Sequence, residues 1–445
     1  MNPICIASYC SWRLAIFTSA ACAALLAPPS NAQSGYGQPG SSAPNLDRPA
    51  VKTDAPKETL RAEIAKPMVA AEKLLAEKKY PEALEQIVGA EKVGGKTPYE
   101  LYMLDRLRAV AALGVGNDAL AVKSLEAAVA SGRLAATDTL SFLDGIARIH
   151  YRQKDFKQAA TWAGRAVKEP GVRVETRLLL AHSAYLSEDF STAKTEITAV
   201  LAAAEKAGTI PPEDQLRLLA SISQKTADNA GYVAALEKLV VRFPNKEYWA
   251  DLIYRVESKP GFAERLALDV YRLKFITGVM SEKSDFMEMA NLALQSGYPA
   301  EAQKVIDAAV AAGALTKDAT ADAEKKLRAS ISKELAEENA RAAKGNPPPK
   351  TSVALLNNGF DSVLKGDAKK GLEMMEAGMK ASDLRRLEDA KLRYGIALVL
   401  ANQKSKAGEI FKTVQGTDGT ADLARLWELY SQQAGTDPSK LSLRD

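Results

Sequence analysis

Apolar side chains recur every three to four residues along most of the chain, from about residue 57 nearly to its end. Alanine far outnumbers the β-branched residues in this pattern, and no convincing run of alternating polar and apolar positions appears. A period close to that of the α-helix indicates amphipathic helices, whereas strict alternation would indicate strands. The sequence therefore predicts an all-α protein.

Two consecutive stretches of the chain repeat each other at an interval of 34 residues. The shared positions are Ala147, Tyr151, Asp155, Phe156 and Ala159 in the first stretch, and Ala181, Tyr185, Asp189, Phe190 and Ala193 in the second. We interpret each stretch as a helix, a tight turn and a second helix that packs back on the first. Small residues are needed where two helix backbones approach closely, and the aromatic after the turn fills the space where the helices diverge.

These residues resemble the tetratricopeptide (TPR) repeat, which has a small residue in its first helix, an aromatic at the turn and an alanine three residues later. Further small anchor residues follow at Ala83, Ala121, Ala235, Ala302, Gly371 and Ala407. The resemblance covers about Leu60 to Gln433, and the order of segments is similar to that of exported bacterial TPR proteins without an assigned activity. It implies a right-handed superhelical solenoid, because a lone helix pair cannot bury its apolar face and must stack on its neighbours.

Six parts are predicted along the chain. They are a signal peptide over 1–32, a disordered linker over 33–56, a TPR-like block over 57–315, a long charged helix with a proline-rich break over 316–349, a second TPR-like block over 350–435, and a tail over 436–445. The linker is rich in Gly, Ser and Pro, so it cannot bury enough apolar surface to offset its ordering entropy. One degenerate helix pair is expected within the first block, at about Glu247–Val256 and Ala263–Ile276.

The long charged helix is predicted at about Thr316–Lys344. Its apolar stripe is one residue wide and consists of Ala323, Leu327, Ile331 and Leu335, flanked by the charge pairs Glu324–Arg328 and Glu337–Arg341. We interpret it as a partly solvated connector, with a helix that docks a partner or a second copy as the alternative.

The first 32 residues have the layout of a secretory signal. They contain no acidic residue, one arginine and an apolar run from Leu14 to Ala27 that is too short for a stable bilayer anchor. We therefore expect export to the periplasm or out of the cell, with cleavage after Ala32 and no integral membrane segment in the mature chain. The alternative is lipidation of Cys22. All three cysteines lie in this segment, so cleavage after Ala32 would leave no thiol.

The composition gives little support to nucleic-acid binding, catalysis or metal binding. A net charge of +4 over 445 residues is too small to indicate binding by phosphate neutralisation, so no nucleic-acid partner is expected. The only histidines are His150, predicted on the packing face, and His182, predicted on a groove face. No sequence motif of a serine hydrolase, zinc protease or β-lactamase stands in a suitable context. We expect no enzyme, no cofactor and no metal site.

Two glycine-containing segments imitate nucleotide-binding motifs. Residues 90–97 match a loose P-loop pattern, and residues 114–119 imitate a dinucleotide fingerprint. Both follow a predicted helix, whereas a phosphate site of either kind follows a strand. The first is better explained as a helix start with Thr97 as N-cap, Pro98 in the first turn and Glu100 at the third position. The second is interpreted as a repeat turn.

Asp418 and Asp422 lie close together near the end of the chain without the spacing of a calcium-binding loop. Between them, Thr420 is expected to act as the N-cap of the last helix.

Nine aromatic residues fall between Tyr232 and Phe286, well above the average density of the chain. We interpret this block as helices held further apart by larger side chains. An aromatic-lined groove for a peptide or glycan is the alternative.

In TPR proteins the first helix of each pair lines a concave groove. Carried onto the two clear repeats, the resemblance implies a groove lined by Asp144, Arg148, Tyr151, Arg152, Glu175, His182 and Tyr185. These residues differ from the Lys/Asn clamp of chaperone-binding TPR domains, so a C-terminal carboxylate is not the favoured ligand. The leading hypothesis is a non-enzymatic scaffold that binds a peptide or protein of the cell envelope.

Two other functions are alternatives. One is a glycan-acting protein similar to superhelical lytic transglycosylases, although no separate catalytic segment of adequate length is found. The other is a self-associating organiser of the envelope.

Overall fold

The computed structural model describes residues 58–319, 321–343 and 350–433. The predicted signal peptide with Cys22, the predicted linker and the predicted tail lie outside these ranges. Within them all regular structure is helical, with no strand, and this confirms the all-α prediction. The chain divides into two compact units, which meet in sequence at Pro211 and Pro212.

The N-terminal unit contains eight helices. They are α1 Ala62–Ala76, α2 Tyr80–Glu91, α3 Pro98–Gly114, α4 Asp118–Ala130, α5 Ala136–Arg152, α6 Phe156–Ala166, α7 Val174–Leu186 and α8 Phe190–Lys206. They form four successive pairs. Neighbouring pairs pack through α2 on α3, α4 on α5 and α6 on α7, and first helices also contact each other, as α1 with α3 and α5 with α7.

The C-terminal unit contains the other twelve described helices. They are α9 Glu213–Lys225, α10 Asn229–Arg242, α11 Lys246–Glu257, α12 Ala267–Ile276, α13 Lys283–Gln295, α14 Pro299–Ala311, α15 Asp322–Ala343, α16 Ser352–Leu364, α17 Ala368–Lys380, α18 Leu387–Leu400, α19 Lys404–Phe411 and α20 Thr420–Gln432. Four more helix pairs occur here, α9–α10, α13–α14, α16–α17 and α18–α19. The two helices expected near residue 250 are found as α11 and α12, with a 3₁₀ turn over Glu264–Leu266 before α12, but they do not pack on each other as the eight pairs do.

All eight pairs use the same turn. One residue adopts a left-handed backbone directly before the N-cap of the second helix, at Lys78, Gly116, Lys154, Glu188, Ala227, Gly297, Gly366 and Asn402. Five of the N-caps are Asp or Asn side chains that accept a backbone N–H of the new helix: Asn117, Asp155, Asp189, Asp228 and Asp367. Each cap satisfies a donor that the helix leaves unpaired, which fixes where the second helix starts.

Small residues stand where the two helices of a pair cross. In seven pairs, a buried small residue four positions after the N-cap is matched by another in the first helix: Ala71 with Ala83, Ala109 with Ala121, Ala147 with Ala159, Ala181 with Ala193, Ala290 with Ala302, Gly359 with Gly371, and Gly395 with Ala407. In α16–α17 the backbones approach closely, because a Cβ added at Gly371 would lie 2.5 Å from the Gly359 carbonyl oxygen. The predicted close approach of the paired helices is confirmed for this pair.

The α9–α10 pair departs from this rule, and the anchor predicted at Ala235 is wrong in register. Its turn places Tyr232 at the small-residue position, although Ala235 is itself buried. The close approach is provided next to it by Gly231, where a Cβ would lie 2.9 Å from Ser223 Oγ. The Tyr232 hydroxyl donates to Asp251 on α11 at 2.6 Å, so the larger ring links α10 to the next helix.

The last described helix gives the C-terminal unit contacts that a purely sequential stack lacks. Helix α20 packs on α18 and α19, which precede it, and also on α10 and α11, which lie far back in the chain. Its buried side chains face several neighbours and include Leu423, Leu426, Trp427, Leu429 and Tyr430. Trp249 of α11 and Tyr430 lie with ring centroids 6.4 Å apart. A helix buried on most of its sides, as α20 is, belongs to the core of its unit.

The long charged helix is shorter than predicted and begins at Asp322 instead of Thr316. Leu327 and Ile331 are buried as expected, but Ala323 is exposed, and the buried neighbour in the first turn is Glu324. The Glu324 carboxylate accepts from Lys283 and from Arg328, both at 2.7 Å, and these bonds lower its pKa. Because α15 packs on α13 and α14 along this side, the carboxylate is covered and paired.

The two predicted helix starts have different outcomes. Thr97 caps α3 as predicted: its hydroxyl accepts the Glu100 amide, and the Glu100 carboxylate accepts the Thr97 amide. The prediction for Thr420 is wrong, because the N-cap of α20 is Gly419, with a left-handed backbone, and Thr420 is the first helical residue. The Asp418 carboxylate accepts both the amide and the hydroxyl of Thr420, so an acid two residues upstream takes the capping role.

Candidate functional site

Helices α5 and α7 bring two of the predicted groove residues together around one carboxylate. Asp144 is buried, and its oxygens accept the Arg148 Nε–H at 2.6 Å and the Thr176 hydroxyl at 2.8 Å. Arg173, directly before α7, places Nη2 3.9 Å from the same Asp144 Oδ2. Arg148 and Asp144 are one helical turn apart, so α5 itself fixes their pairing, while Thr176 ties the carboxylate to α7.

Arg152 and Glu175 lie at the exposed ends of the same two helices. Arg152 donates to Asp118 at the start of α4 at 2.5 Å, and its side chain remains half exposed. Glu175 is exposed in the first turn of α7. We call these residues of α5 and of the start of α7, namely Asp144, Arg148, Arg152, Arg173 and Glu175, the α5–α7 face; Asp144 links Arg148 and Arg173 within it, whereas Arg152 contacts Asp118 of α4.

Tyr151 and Tyr185 occupy equivalent places in the turns of their pairs. The Tyr151 ring meets Phe156 edge to face with centroids 5.4 Å apart, and the Tyr185 ring meets Phe190 in the same way at 5.8 Å. Both tyrosines are partly exposed. Their packing closes the turn, so any ligand would meet a ring edge that is already held in place.

The two histidines are both largely covered. His182 is 9% exposed and lies in a stretch of α7 where every residue from Leu178 to Ala184 is buried. His150 is also mostly covered, and its Nδ1 lies 3.9 Å from a carboxylate oxygen of Asp155. Because α7 is packed on nearly all sides, the position expected to line a groove offers little surface here.

A series of polar contacts links the first helices of successive pairs in the N-terminal unit. Sequence reasoning did not predict these contacts. Arg61 donates from Nε and Nη2 to both oxygens of Glu100, and Arg106 lies 3.7 Å from Asp138. The hydrogen bond from Arg61 and the Thr97 amide lower the pKa of buried Glu100 to about 2. The Asp144–Thr176 bond continues this series from α5 to α7. A signal was present, because Arg106 and Asp144 both stand three residues before the small residue of their first helix.

The C-terminal unit contains a cluster of buried charged side chains around Arg272, which we call the polar centre. Sequence reasoning did not predict it. Arg272 of α12 is fully buried and donates to both oxygens of Glu301 at 2.7 Å and to Asp269 at 2.7 Å. Its guanidinium carbon also lies 5.0 Å from the ring centroid of Tyr298 and 4.3 Å from that of Phe360. Burial without partners would penalise this charge heavily, and the two carboxylates and two ring faces compensate it. Its pKa accordingly stays above the ordinary arginine value.

A second arginine joins sequence-distant parts of the same unit. Arg265 donates to Asp389 at 2.7 Å and to Asp418 at 2.6 Å. The hydrogen bond from the Thr420 hydroxyl and that from Arg265 hold the pKa of Asp418 below its usual range. Arg393 of α18 donates to Asp269 at 3.2 Å. Each charged side chain of the polar centre lies next to one of opposite charge. These ion pairs therefore hold the helices of the unit together.

The aromatic block is mainly packing in this structure. Tyr232, Tyr248, Trp249 and Phe286 are buried, while Tyr254 is 59% exposed. Tyr248 donates to Glu213 at 2.6 Å, and burial together with that bond raises its pKa.

No cluster of three or more His, Cys, Asp or Glu side chains able to hold a metal ion occurs in the described part of the chain. In those ranges there is also no helix with the length and apolarity needed to cross a bilayer.

No protein-family model and no curated protein matches this chain.

Proposed function

We propose that this protein is a non-enzymatic, exported scaffold that binds a peptide or a protein through the α5–α7 face. In this proposal the helix pairs are TPR-like, and those of the N-terminal unit stack as a right-handed superhelix whose first helices form the binding side. The partner belongs to the cell envelope, in keeping with the predicted signal peptide.

The observation that carries the proposal is the chemistry of the α5–α7 face. It combines a buried carboxylate that orients guanidinium groups with half-exposed arginines and an exposed Glu175. Arginine is favoured in recognition because its planar group donates several hydrogen bonds in a fixed geometry. A buried acid that holds such a group reduces the side-chain entropy lost when a ligand binds.

Charge reversal on this face tests the proposal. The double variant Arg152→Glu, Glu175→Lys changes two exposed positions and leaves the net charge unaltered. The matched control is Lys157→Glu, Glu169→Lys on and just after α6, which makes the same exchange on a second helix. Partners are captured from the envelope by tagged full-length protein after chemical crosslinking and are identified by mass spectrometry.

We expect the face variant to lose its principal crosslinked partner while the control keeps it, with both variants as helical as the unmodified protein by circular dichroism. Retention of all partners by a folded face variant would contradict the proposal.

A further inference from the structure

We propose that a polar cavity between α19 and α20 binds a small zwitterion with the charge pattern of a free α-amino acid. The cavity lies in the C-terminal unit and involves no residue of the α5–α7 face, so this inference is independent of the proposed function.

The cavity has a volume of about 370 Å³, which is within the range of sites that hold small molecules. Five of its lining residues come from α19 and its C-cap, and three come from the end of α20. Every side chain among them is polar or charged, Ser405 and Gln432 included. This lining favours a polar ligand that exchanges hydrogen bonds with the protein.

Gly408 provides space for a ligand. It lies on α19, with Lys404 one helical turn before it and Lys412, at the C-cap, one turn after it. Among the described residues outside its own helix, a Cβ at Gly408 would meet only Ser431 Oγ within 4 Å, at 3.9 Å. Both residues line the cavity, so a side chain at position 408 would project into it.

The floor of the cavity is a buried acid that already has hydrogen-bond donors. Glu428 is 5% exposed and accepts from Arg425 Nη1 at 2.8 Å and from the Gln432 amide at 3.1 Å. Arg425 also donates to Glu237 of α10. Because the protein itself supplies these bonds, Glu428 fixes the shape of the floor, and the recognition of a ligand depends mainly on the rim.

The rim carries one accessible charge of each sign. The Glu409 carboxylate is exposed and takes part in no hydrogen bond or ion pair within the described ranges. The Lys412 side chain is 69% exposed, and its Nζ lies 3.9 Å from a Glu428 oxygen, which is too long for a hydrogen bond. Lys404 already has a partner within the protein. Glu409 and Lys412 therefore both retain hydrogen-bonding capacity for a ligand.

A ligand of mixed charge satisfies this rim. A dicarboxylate would be attracted by Lys412 but repelled by Glu409 and Glu428, and a diamine would meet the same groups with opposite signs. A molecule with one ammonium and one carboxylate can donate to Glu409 and accept from Lys412, which gives two charge-assisted hydrogen bonds. An α-amino acid carries these two groups and is small enough for the cavity.

Isothermal titration calorimetry of the full chain with three forms of one amino acid tests the charge pattern. L-Glutamine carries both charges, N-acetyl-L-glutamine keeps only the carboxylate, and L-glutaminamide keeps only the ammonium. We expect L-glutamine to bind and each singly charged form to have a Kd about tenfold higher, because it loses one charge-assisted contact. Equal affinity for the three forms, or no binding of L-glutamine, would overturn the inference.

Substitutions in α19 and at its C-cap locate the site. Lys412→Gln and Glu409→Gln should each raise the Kd for L-glutamine about five- to tenfold, and Gly408→Gln should abolish binding because its side chain fills the cavity. The matched control is Lys406→Gln, an exposed lysine of the same helix that does not line the cavity, and it should leave the Kd unchanged.

Circular dichroism checks that each variant keeps its helical content. Equal losses of affinity from Lys412→Gln and Lys406→Gln would contradict binding in this cavity. If Gly408→Gln fails to fold, the substitutions at Glu409 and Lys412 decide the question, because both side chains are exposed.

Discussion

The two compact units use the same helix pair in different ways. In the N-terminal unit, four pairs follow one another and the helix contacts are between near neighbours. In the C-terminal unit, four pairs are combined with α11, α12, α15 and α20, and α20 returns to α10 and α11. The first arrangement leaves charged side chains partly exposed along its first helices, whereas the second buries its charges at the centre.

The difference between buried and partly exposed charges is clearest for the arginines of the two units. Arg272 is enclosed by two carboxylates and two rings, and nothing of it remains for a ligand. Arg152 and Arg173 keep half of their side-chain surface. A charge that is fully enclosed fixes the fold, while one that is oriented but exposed can contribute to binding.

The largest expected loss of stability comes from replacing the arginine of the polar centre. Arg272→Met leaves Glu301 buried without its arginine partner and Asp269 with Arg393 alone, and should cost about 3–5 kcal/mol of unfolding free energy. The matched variant Arg106→Met in the N-terminal unit should cost less, about 1–2 kcal/mol, because the Arg106–Asp138 distance of 3.7 Å is longer than the 2.7 Å bonds of Arg272. Segment-resolved hydrogen exchange would assign each loss to its unit. Equal losses of unfolding free energy would contradict the difference between the two arginines.

The helix crossings give the next effect. Gly371→Ala would place a Cβ 2.5 Å from a backbone oxygen and 2.9 Å from a backbone nitrogen, neither of which can move alone, and should destabilise the C-terminal unit by about 1–3 kcal/mol. Gly145→Ala in α5 meets only Leu125, at 3.8 Å, and should stabilise the N-terminal unit by up to about 1 kcal/mol through helix propensity. Urea denaturation of both variants measures the difference. Destabilisation by Gly145→Ala would contradict the described spacing of α4 and α5.

A smaller effect, confined to acid, follows from Glu100. Its pKa is lowered from 4.5 to about 2 by Arg61 and the Thr97 amide, so its contribution to stability is complete above about pH 4.5 and is lost as the pH falls towards 2. The Tm difference between the unmodified chain and Glu100→Gln should therefore be constant from pH 7 to 5 and shrink between pH 4.5 and 2. The control Glu72→Gln removes an exposed carboxylate of α1. A Tm difference that stayed constant down to pH 2 would rule out this capping interaction.

The smallest effects concern the shared turn, which should behave alike in both units. Ala227 has a φ of 55° in the C-terminal unit, and Ala227→Gly should stabilise by about 0.5–1 kcal/mol because glycine adopts this conformation without a steric penalty. The reverse change in the N-terminal unit, Gly116→Ala at a φ of 74°, should destabilise by about 1 kcal/mol. Thermal unfolding measures both, and two shifts of the same sign would contradict a common turn.

Sequence reasoning found the helix pairs because their signals are local. A capped turn and two small residues lie within about fifteen positions, so Asp155, Ala147 and Ala159 reveal a pair without knowledge of the rest of the chain. The same reasoning placed the α9–α10 anchor at Ala235, since an alanine follows a tyrosine there, although the turn sets the register at Tyr232. The predicted register was wrong because Tyr232, a large residue, occupies the position that is small in the other pairs.

The polar centre could not be predicted in this way. Arg265 meets Asp389 and Asp418 across more than a hundred residues, and no period in the sequence relates these positions. For the groove residues, the TPR resemblance named positions on a helix face. The neighbouring helix determines how much of each side chain stays exposed, so His182 is buried while Arg152 is not.

The most direct test of the account asks which unit meets the partner. A photocrosslinking amino acid is placed at Glu175 of the N-terminal unit or, for comparison, at exposed Lys369 of the C-terminal unit, and the full-length protein is irradiated in intact cells. We predict a discrete crosslinked partner from position 175 that is lost when Arg152→Glu is added, and none from position 369. A partner crosslinked only from position 369 would contradict the assignment of binding to the α5–α7 face.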